Sequence, residues 1–186
     1  TIVPSRELTL FERVRLVRMG GAVERCHTIP HAPGYTNAAH SWGVAMLVLQ
    51  LWPEDFPRLA GHCICHDVPE GWVGDIPAHT KARLLDLKYQ LEKLEDQVFS
   101  RLQLPSENDL REEDLEKLKA ADYLELWLWA DEAERVGNHY AAEIRHKLDS
   151  WLATRRLPEP AWELYQTLRT RRGAPLPNKG LAMEGY

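Results

Sequence analysis

No apolar run in this chain approaches the roughly 18 to 20 residues that a membrane-spanning helix needs, so no membrane role is expected. Cysteine is scarce: Cys26, Cys63 and Cys65 are the three among 186 residues. An odd number in a chain able to bury a full-sized core argues against a disulfide framework and for a reducing compartment. The opening residues carry mixed charge and no small-residue cleavage site, which speaks against a signal peptide. A cytoplasmic location is therefore expected. Positive charge is also short, with 23 Lys and Arg against 28 Asp and Glu, a net charge of −5. Duplex binding draws on a basic stripe that displaces counterions, so no duplex nucleic acid is expected as partner. The local exception, Arg155, Arg156, Arg169, Arg171 and Arg172, reads as a solvated surface near the C-terminus. Alternating strand segments, internal repeats and a glycine-rich phosphate loop are all missing.

What is present is helical periodicity. Leu8, Phe11, Val14 and Val17 recur at three-residue spacing, a narrow apolar stripe for a first helix. An irregular stretch over 20–39 carries Gly20, Gly21, Pro30, Pro33, Gly34 and Asn37, and loops of that length inside compact domains are usually functional or disordered. Further helices are expected from Asn37 to Leu51, closed by Pro53, from Phe56 to Glu70, and from Lys81 to Leu102. A long one over 111–136 ends at Gly137-Asn138, a left-handed stop, and two more cover about 139–154 and 160–172. The pattern predicts an all-α bundle of about six to seven helices over residues 1–172. The Gly- and Pro-rich residues 173–186 read as a flexible C-terminal tail.

The chemistry concentrates around His66-Asp67 in AGHCICHDVPEG. Neighbouring helical residues point about 100° apart, so they share a target only when it lies between them. A metal ion is such a target, although a His-Asp pair near a helix end can equally be a hydrogen-bonded polar pair. His40 stands on the preceding helix. Asp122 sits inside the otherwise apolar LKAADYLELWLWA, where a carboxylate is expensive unless paired or metal-bound.

The ordered set His40, His66-Asp67, Asp122 resembles the HD-domain metal-dependent phosphohydrolases. More narrowly the chain resembles the 5′-deoxynucleotidase branch and the related small phage enzymes that hydrolyse deoxynucleoside triphosphates. The resemblance covers about residues 11 to 150, through AHSWGVAM around His40, HDVPEGWVGDIPAHTK from His66 to Lys81, and KAADYLELWLWADEAERVGN from Lys119 to Asn138. It implies that His40, His66, Asp67 and Asp122 are metal ligands. Two imidazoles and two carboxylates suit Co²⁺, Mn²⁺ or Zn²⁺, with Mg²⁺ better suited to a triphosphate tail. It further implies that Glu70 is the catalytic glutamate, Asp75 a second functional carboxylate, and Arg25 a phosphate contact, with Lys81 matching the end of the same block. A homo-oligomer, dimer or higher, is implied as well.

Two positions depart from the family pattern. The glutamate that usually precedes the first histidine ligand is Ala39, so a carboxylate behind that ligand is expected to be missing. The Trp expected after the arginine is Cys26, and the loop from His27 to Tyr35 looks rearranged, which brings Tyr35, His27 or His31 into play as pocket residues. Trp72, in a Gly-flanked turn, and Pro77 are candidates for the wall and floor of a purine pocket. Cys63 and Cys65 resemble a zinc knuckle on paper, but a C-x-C on a helix splays its thiols, and both read as core. His62, His139 and His146 read as surface or capping groups, and Trp42, Trp127 and Trp129 as core or interface.

The expected substrate is a small 2′-deoxynucleotide. The remodelled loop and the compact length favour the triphosphate, dATP first, cleaved to deoxynucleoside and triphosphate. The closeness of the HDVPEGWVGDIP block to the nucleotidase branch keeps a dNMP-specific 5′-deoxynucleotidase as the alternative. A catalytically silent nucleotide sensor is the second alternative. Lys81, Arg83, His31 and His79 are basic groups that could meet a longer polyphosphate.

Overall fold

The computed structural model describes residues 6–32 and 34–172, so the expected tail over 173–186 lies outside the described residues. Among the described residues there are eight α-helices and two short 3₁₀ turns. The α-helices are α1 Leu10–Gly21, α2 Asn37–Leu51, α3 Phe56–Cys65, α4 Ala78–Arg83, α5 Leu85–Leu102, α6 Glu112–Arg135, α7 His139–Leu152 and α8 Ala161–Thr170. The expected all-α class holds.

Three expected elements differ in detail. The helix expected from Phe56 to Glu70 stops at Cys65, and a 3₁₀ turn over Val68–Trp72 follows. Pro69 fits this, because it has no N–H to donate to the Cys65 carbonyl four residues back and so cannot continue the α-helical bonding. The segment Lys81–Leu102 is two helices, α4 and α5, broken at Leu84 with φ −116° and ψ 82°. Of the predicted stripe at the start of the chain, Leu8 and Val17 pack inward, joined by Leu16, whereas Phe11 and Val14 are exposed. Leu8 is buried, but it lies before the helix, which a Thr9–Glu12 capping box starts at Leu10. The inward face of α1 is set by Gly20, where a Cβ would lie 2.6 Å from the Val68 carbonyl oxygen.

Helix α2 shows why the centre of the fold is well determined. Asn37, His40, Ser41, Val44, Ala45 and Val48 are its buried residues, the i, i+3, i+4, i+7 spacing of one helix face. Thr36 caps it by accepting from the Ala39 amide. This face joins α3, α6 and α8 in a core of Val44, Val48, Leu59, Cys63, Leu118, Leu124, Trp127 and Tyr165. A second cluster, Leu8, Cys65, Val68, Leu94, Val98, Phe99 and Leu102, lies under α1 and α5, with Trp72 packed against it. Cys63 and Cys65 are thus core residues, as expected. His62 is buried as well, against its expected surface place, and Trp42 is exposed, outside the core half of its expected core-or-interface place. The burial of His62 comes from how α3 is rotated against its neighbours, which periodicity alone leaves open.

Candidate metal centre

The polar centre lies where α2, the end of α3 and the middle of α6 meet. His40, His66 and Asp122 each offer a ligand atom, and these atoms lie within 4.8 Å of one another. The two Nε2 atoms are 3.3 Å apart, and Asp122 Oδ1 is 3.0 Å from His40 Nε2. Asp67 Oδ2 lies 3.3 Å from His66 Nε2 and 3.7 Å from His40 Nε2. All four predicted ligands therefore come together.

The donor set fits a divalent cation. Nitrogens each about 2.05 Å from one tetrahedral ion stand about 3.3 Å apart, the separation of the two Nε2 atoms. The ring orientations agree. His66 Nδ1 is 2.9 Å from the Cys63 carbonyl, a bond it can only donate, which leaves Nε2 as a lone pair facing the centre. His40 Nδ1 donates to Glu125 Oε2, leaving its own Nε2 free to ligate. The Tyr35 hydroxyl donates to the same Glu125 oxygen.

Glu125 corrects an expectation. A carboxylate behind His40 is present: it comes from α6 rather than from position 39. The signal was readable, because Glu125 follows Asp122 by three residues and so shares its helix face. Asn37, one turn before His40, is the second residue that motif reading missed. Its buried amide lies 3.2 Å from the Gly20 carbonyl, 3.2 Å from the Asp67 carbonyl and 2.9 Å from Glu70 Oε2.

Electrostatics follow from this packing. Burial would lower the His40 imidazolium, but hydrogen bonds to Asp122 and Glu125 outweigh it and push the group up to about 9. Burial also works against the Asp122 carboxylate, yet His40 and His66 hold it well below its usual range. Glu70 moves the other way: burial, then the nearby Asp67 charge, push it up to about 7.

The remaining predicted residues form a rim. Arg25 pairs with Asp67, and its Nη1 reaches Asn37 Oδ1 at 3.3 Å, while its buried Nε has no partner. The backbone around it is pinched by Arg25 N to Tyr35 O at 2.7 Å and Asn37 N to Val23 O at 2.9 Å. Cys26 turns with φ 53°, in the left-handed region, and its amide donates to Asp75 Oδ2 at 2.8 Å. Asp75 thus holds the backbone next to Arg25. Lys81 Nζ lies 4.0 Å from Glu70 Oε1. Tyr35 is buried and stacks on Trp129 at 4.4 Å, and His31 meets Trp129 edge-on at 5.6 Å. Pro77 stands at the N-terminus of α4, and Trp72 lies against the second core cluster.

An all-helical fold with two histidines and two carboxylates at one point has the form of an HD domain. The HD domain family model matches residues 23–154, and the chain belongs to that family. The dATP triphosphohydrolase of Salmonella phage PMBT28 is 29% identical over 141 residues, which span 68% of this chain and 69% of that protein. Among solved structures, the cyanophage S-2L HD phosphohydrolase DatZ, bound to dA and one catalytic Zn²⁺ ion, aligns with a TM-score of 0.63 at 21% identity. The alignment covers 89% of this chain and 98% of DatZ, a likeness of fold.

Proposed function

We propose that this protein is a metal-dependent phosphohydrolase of 2′-deoxynucleoside triphosphates, with dATP its first substrate and deoxynucleoside and triphosphate its products. The observation that carries this reading is the pair of imidazole lone pairs facing each other at 3.3 Å beside two carboxylates. The relative from Salmonella phage PMBT28, a dATP triphosphohydrolase, supports the choice of substrate.

A Zn²⁺, Co²⁺ or Mn²⁺ ion held by His40, His66, Asp67 and Asp122 would polarise the phosphoryl group and lower the pKa of a water, Mg²⁺ being left to the triphosphate tail. Arg25 neutralises phosphate charge, and its unpartnered Nε is a donor in reserve. Glu70 stands near neutrality as a base and accepts the proton of the attacking water at Oε1, while Asn37 holds Oε2. In-line attack on the α-phosphorus breaks the bond to O5′, and the proton passes to that oxygen as the deoxynucleoside leaves. Asp75 acts on this reaction through the Cys26 amide, by fixing where Arg25 begins. The exposed α1 residues Leu10, Phe11 and Val14 support a homo-oligomer, which a monomeric mass in light scattering would refute.

The test is to incubate all eight deoxynucleoside mono- and triphosphates with the protein under each metal and resolve the products by ion-exchange chromatography. Deoxyadenosine and triphosphate ion from dATP are expected. Turnover confined to monophosphates, or no turnover under any metal, overturns the reading.

A further inference from the structure

Asn37 is a buried polar side chain that none of the motifs accounts for, and its amide touches both halves of the proposed reaction. It opens α2 one turn before His40 and is 2% exposed. The backbone fixes its place: its N–H donates to the Val23 carbonyl at 2.9 Å, and Thr36 caps the helix in front of it.

Both polar atoms of the amide are in use. Nδ2 lies 3.2 Å from the Gly20 carbonyl oxygen, 3.2 Å from the Asp67 carbonyl oxygen and 2.9 Å from Glu70 Oε2, so its two N–H groups are shared among three acceptors. Oδ1 accepts from Arg25 Nη1 at 3.3 Å. The opposite orientation would set Oδ1 against two carbonyls and a carboxylate and Nδ2 against a guanidinium, so the neighbours permit one orientation. The Gly20 carbonyl belongs to the end of α1, and the Asp67 carbonyl also accepts the Glu70 backbone N–H at 3.1 Å. An amide is flat and stiff by the same resonance that flattens a peptide bond, so Glu70 and Arg25 are held at the two ends of one rigid group. Arg25 Nη1 also meets Asp67, a predicted metal ligand. In a loaded site Asp67 would share its charge with the cation, whereas the neutral Asn37 oxygen would hold the guanidinium unchanged.

We propose that Asn37 is a positioning residue that bridges Glu70 and Arg25. It fixes the distance between the group that takes the proton of the attacking water and the group that holds the phosphate. This rests on the phosphohydrolase reading above and goes beyond it, because that reading asks Asn37 only to hold Glu70. The bridge makes base and phosphate contact one unit, so its removal misplaces both at once, and a misplacement of about 1 Å costs on the order of 10²-fold in rate.

The test compares the zinc-loaded full chain with Asn37→Ala, alone and combined with Glu70→Gln or with Arg25→Gln. Asn37→Ala is expected to lower kcat for dATP about 10- to 100-fold and to raise KM about threefold to tenfold. On top of Glu70→Gln its kcat loss should shrink to within about twofold, because no base is left to place. The second readout is independent of turnover: protection against thermal unfolding by inorganic phosphate. Asn37→Ala should weaken phosphate binding about threefold to tenfold, and should add nothing once Arg25→Gln has removed the guanidinium. Zinc affinity, read by chelator competition, should stay within about threefold of wild type. A merely structural Asn37 would instead give losses that add in both double variants and would weaken zinc as well. Asn37→Ser suits the start of a helix and gives the same comparison if Asn37→Ala does not fold. If dATP is turned over and Asn37→Ala leaves kcat and phosphate binding within about twofold of wild type, or if its losses are additive, the bridge is wrong and the function stands. If no deoxynucleotide is hydrolysed under any metal, while phosphate protection needs Asn37 only where Arg25 is present, the function falls and the link from Asn37 to Arg25 stands.

Discussion

Replacing Glu125 tests how the metal centre is held from behind. Its Oε2 accepts from His40 Nδ1 and from the Tyr35 hydroxyl, and all three groups are buried or nearly so. Glu125→Gln keeps the size but removes the charge that would make His40 a stronger ligand in the proposed metal site. Loss of a carboxylate behind a ligating histidine typically lowers metal affinity 10- to 100-fold, about 1.4 to 2.7 kcal/mol. Glu125→Ala adds the cost of leaving the His40 and Tyr35 donors without their acceptor, about 1 to 3 kcal/mol of folding stability. A pH signature accompanies this. His40 in the metal-free folded chain is pushed up to about 9 from an ordinary 6.5, burial opposing and Asp122 and Glu125 raising it. A raised histidine contributes stability that is present below about 6.5 and is lost as pH climbs through 9. The rise corresponds to about 3 kcal/mol, and Glu125→Gln should remove a substantial share of it. Zinc affinity measured by competition with a calibrated chelator, and metal-free thermal unfolding from pH 6 to pH 10, read both effects. Zinc affinity of Glu125→Gln within about threefold of wild type would refute the reasoning.

Glu70→Gln should lower kcat by about 10²- to 10⁴-fold with KM little changed, and the wild-type rate should rise through pH 7 as Glu70 loses its proton. A raised carboxyl makes the folded state lose stability as pH climbs from about 4.5 to 7, so Glu70→Gln should melt higher than wild type at pH 8, which calorimetry reads; an equal or lower melting point would refute the burial argument. Gly20→Ala places a Cβ 2.6 Å from the Val68 carbonyl oxygen, and should cost about 1 to 3 kcal/mol in urea unfolding by forcing α1 and the turn bearing Glu70 apart. Asp75→Ala frees the Cys26 amide and should raise KM for dATP about tenfold through Arg25 while metal affinity stays constant; a fall in metal affinity instead would place Asp75 among the ligands.

Much of this protein was legible in one dimension because helices impose fixed offsets. The 3.6-residue period of α2 carries its buried face, including His40, and the Gly137-Asn138 stop falls where α6 ends, with Gly137 at φ 98°. The order of His40, His66, Asp67 and Asp122 was sufficient to nominate a metal site, because few other functions need two imidazoles and two carboxylates in that company. Local chemistry against the period was harder to weigh: Pro69 ends α3 before Glu70, and Leu84 breaks α4 from α5 without any breaker residue. What only the tertiary structure decided is who stands behind the ligands. Glu125 reaches His40 across 85 residues, Asn37 reaches Glu70 across 33, and Asp75 reaches Cys26 across 49. Sequence offsets report neighbours within one helix, whereas these bonds depend on how α2, α6 and the turn after α3 are rotated about their axes. Those rotations are set by packing, by Gly20 against Val68 and by Val44, Leu59 and Leu124 in the core, and packing is a property of the assembled bundle alone.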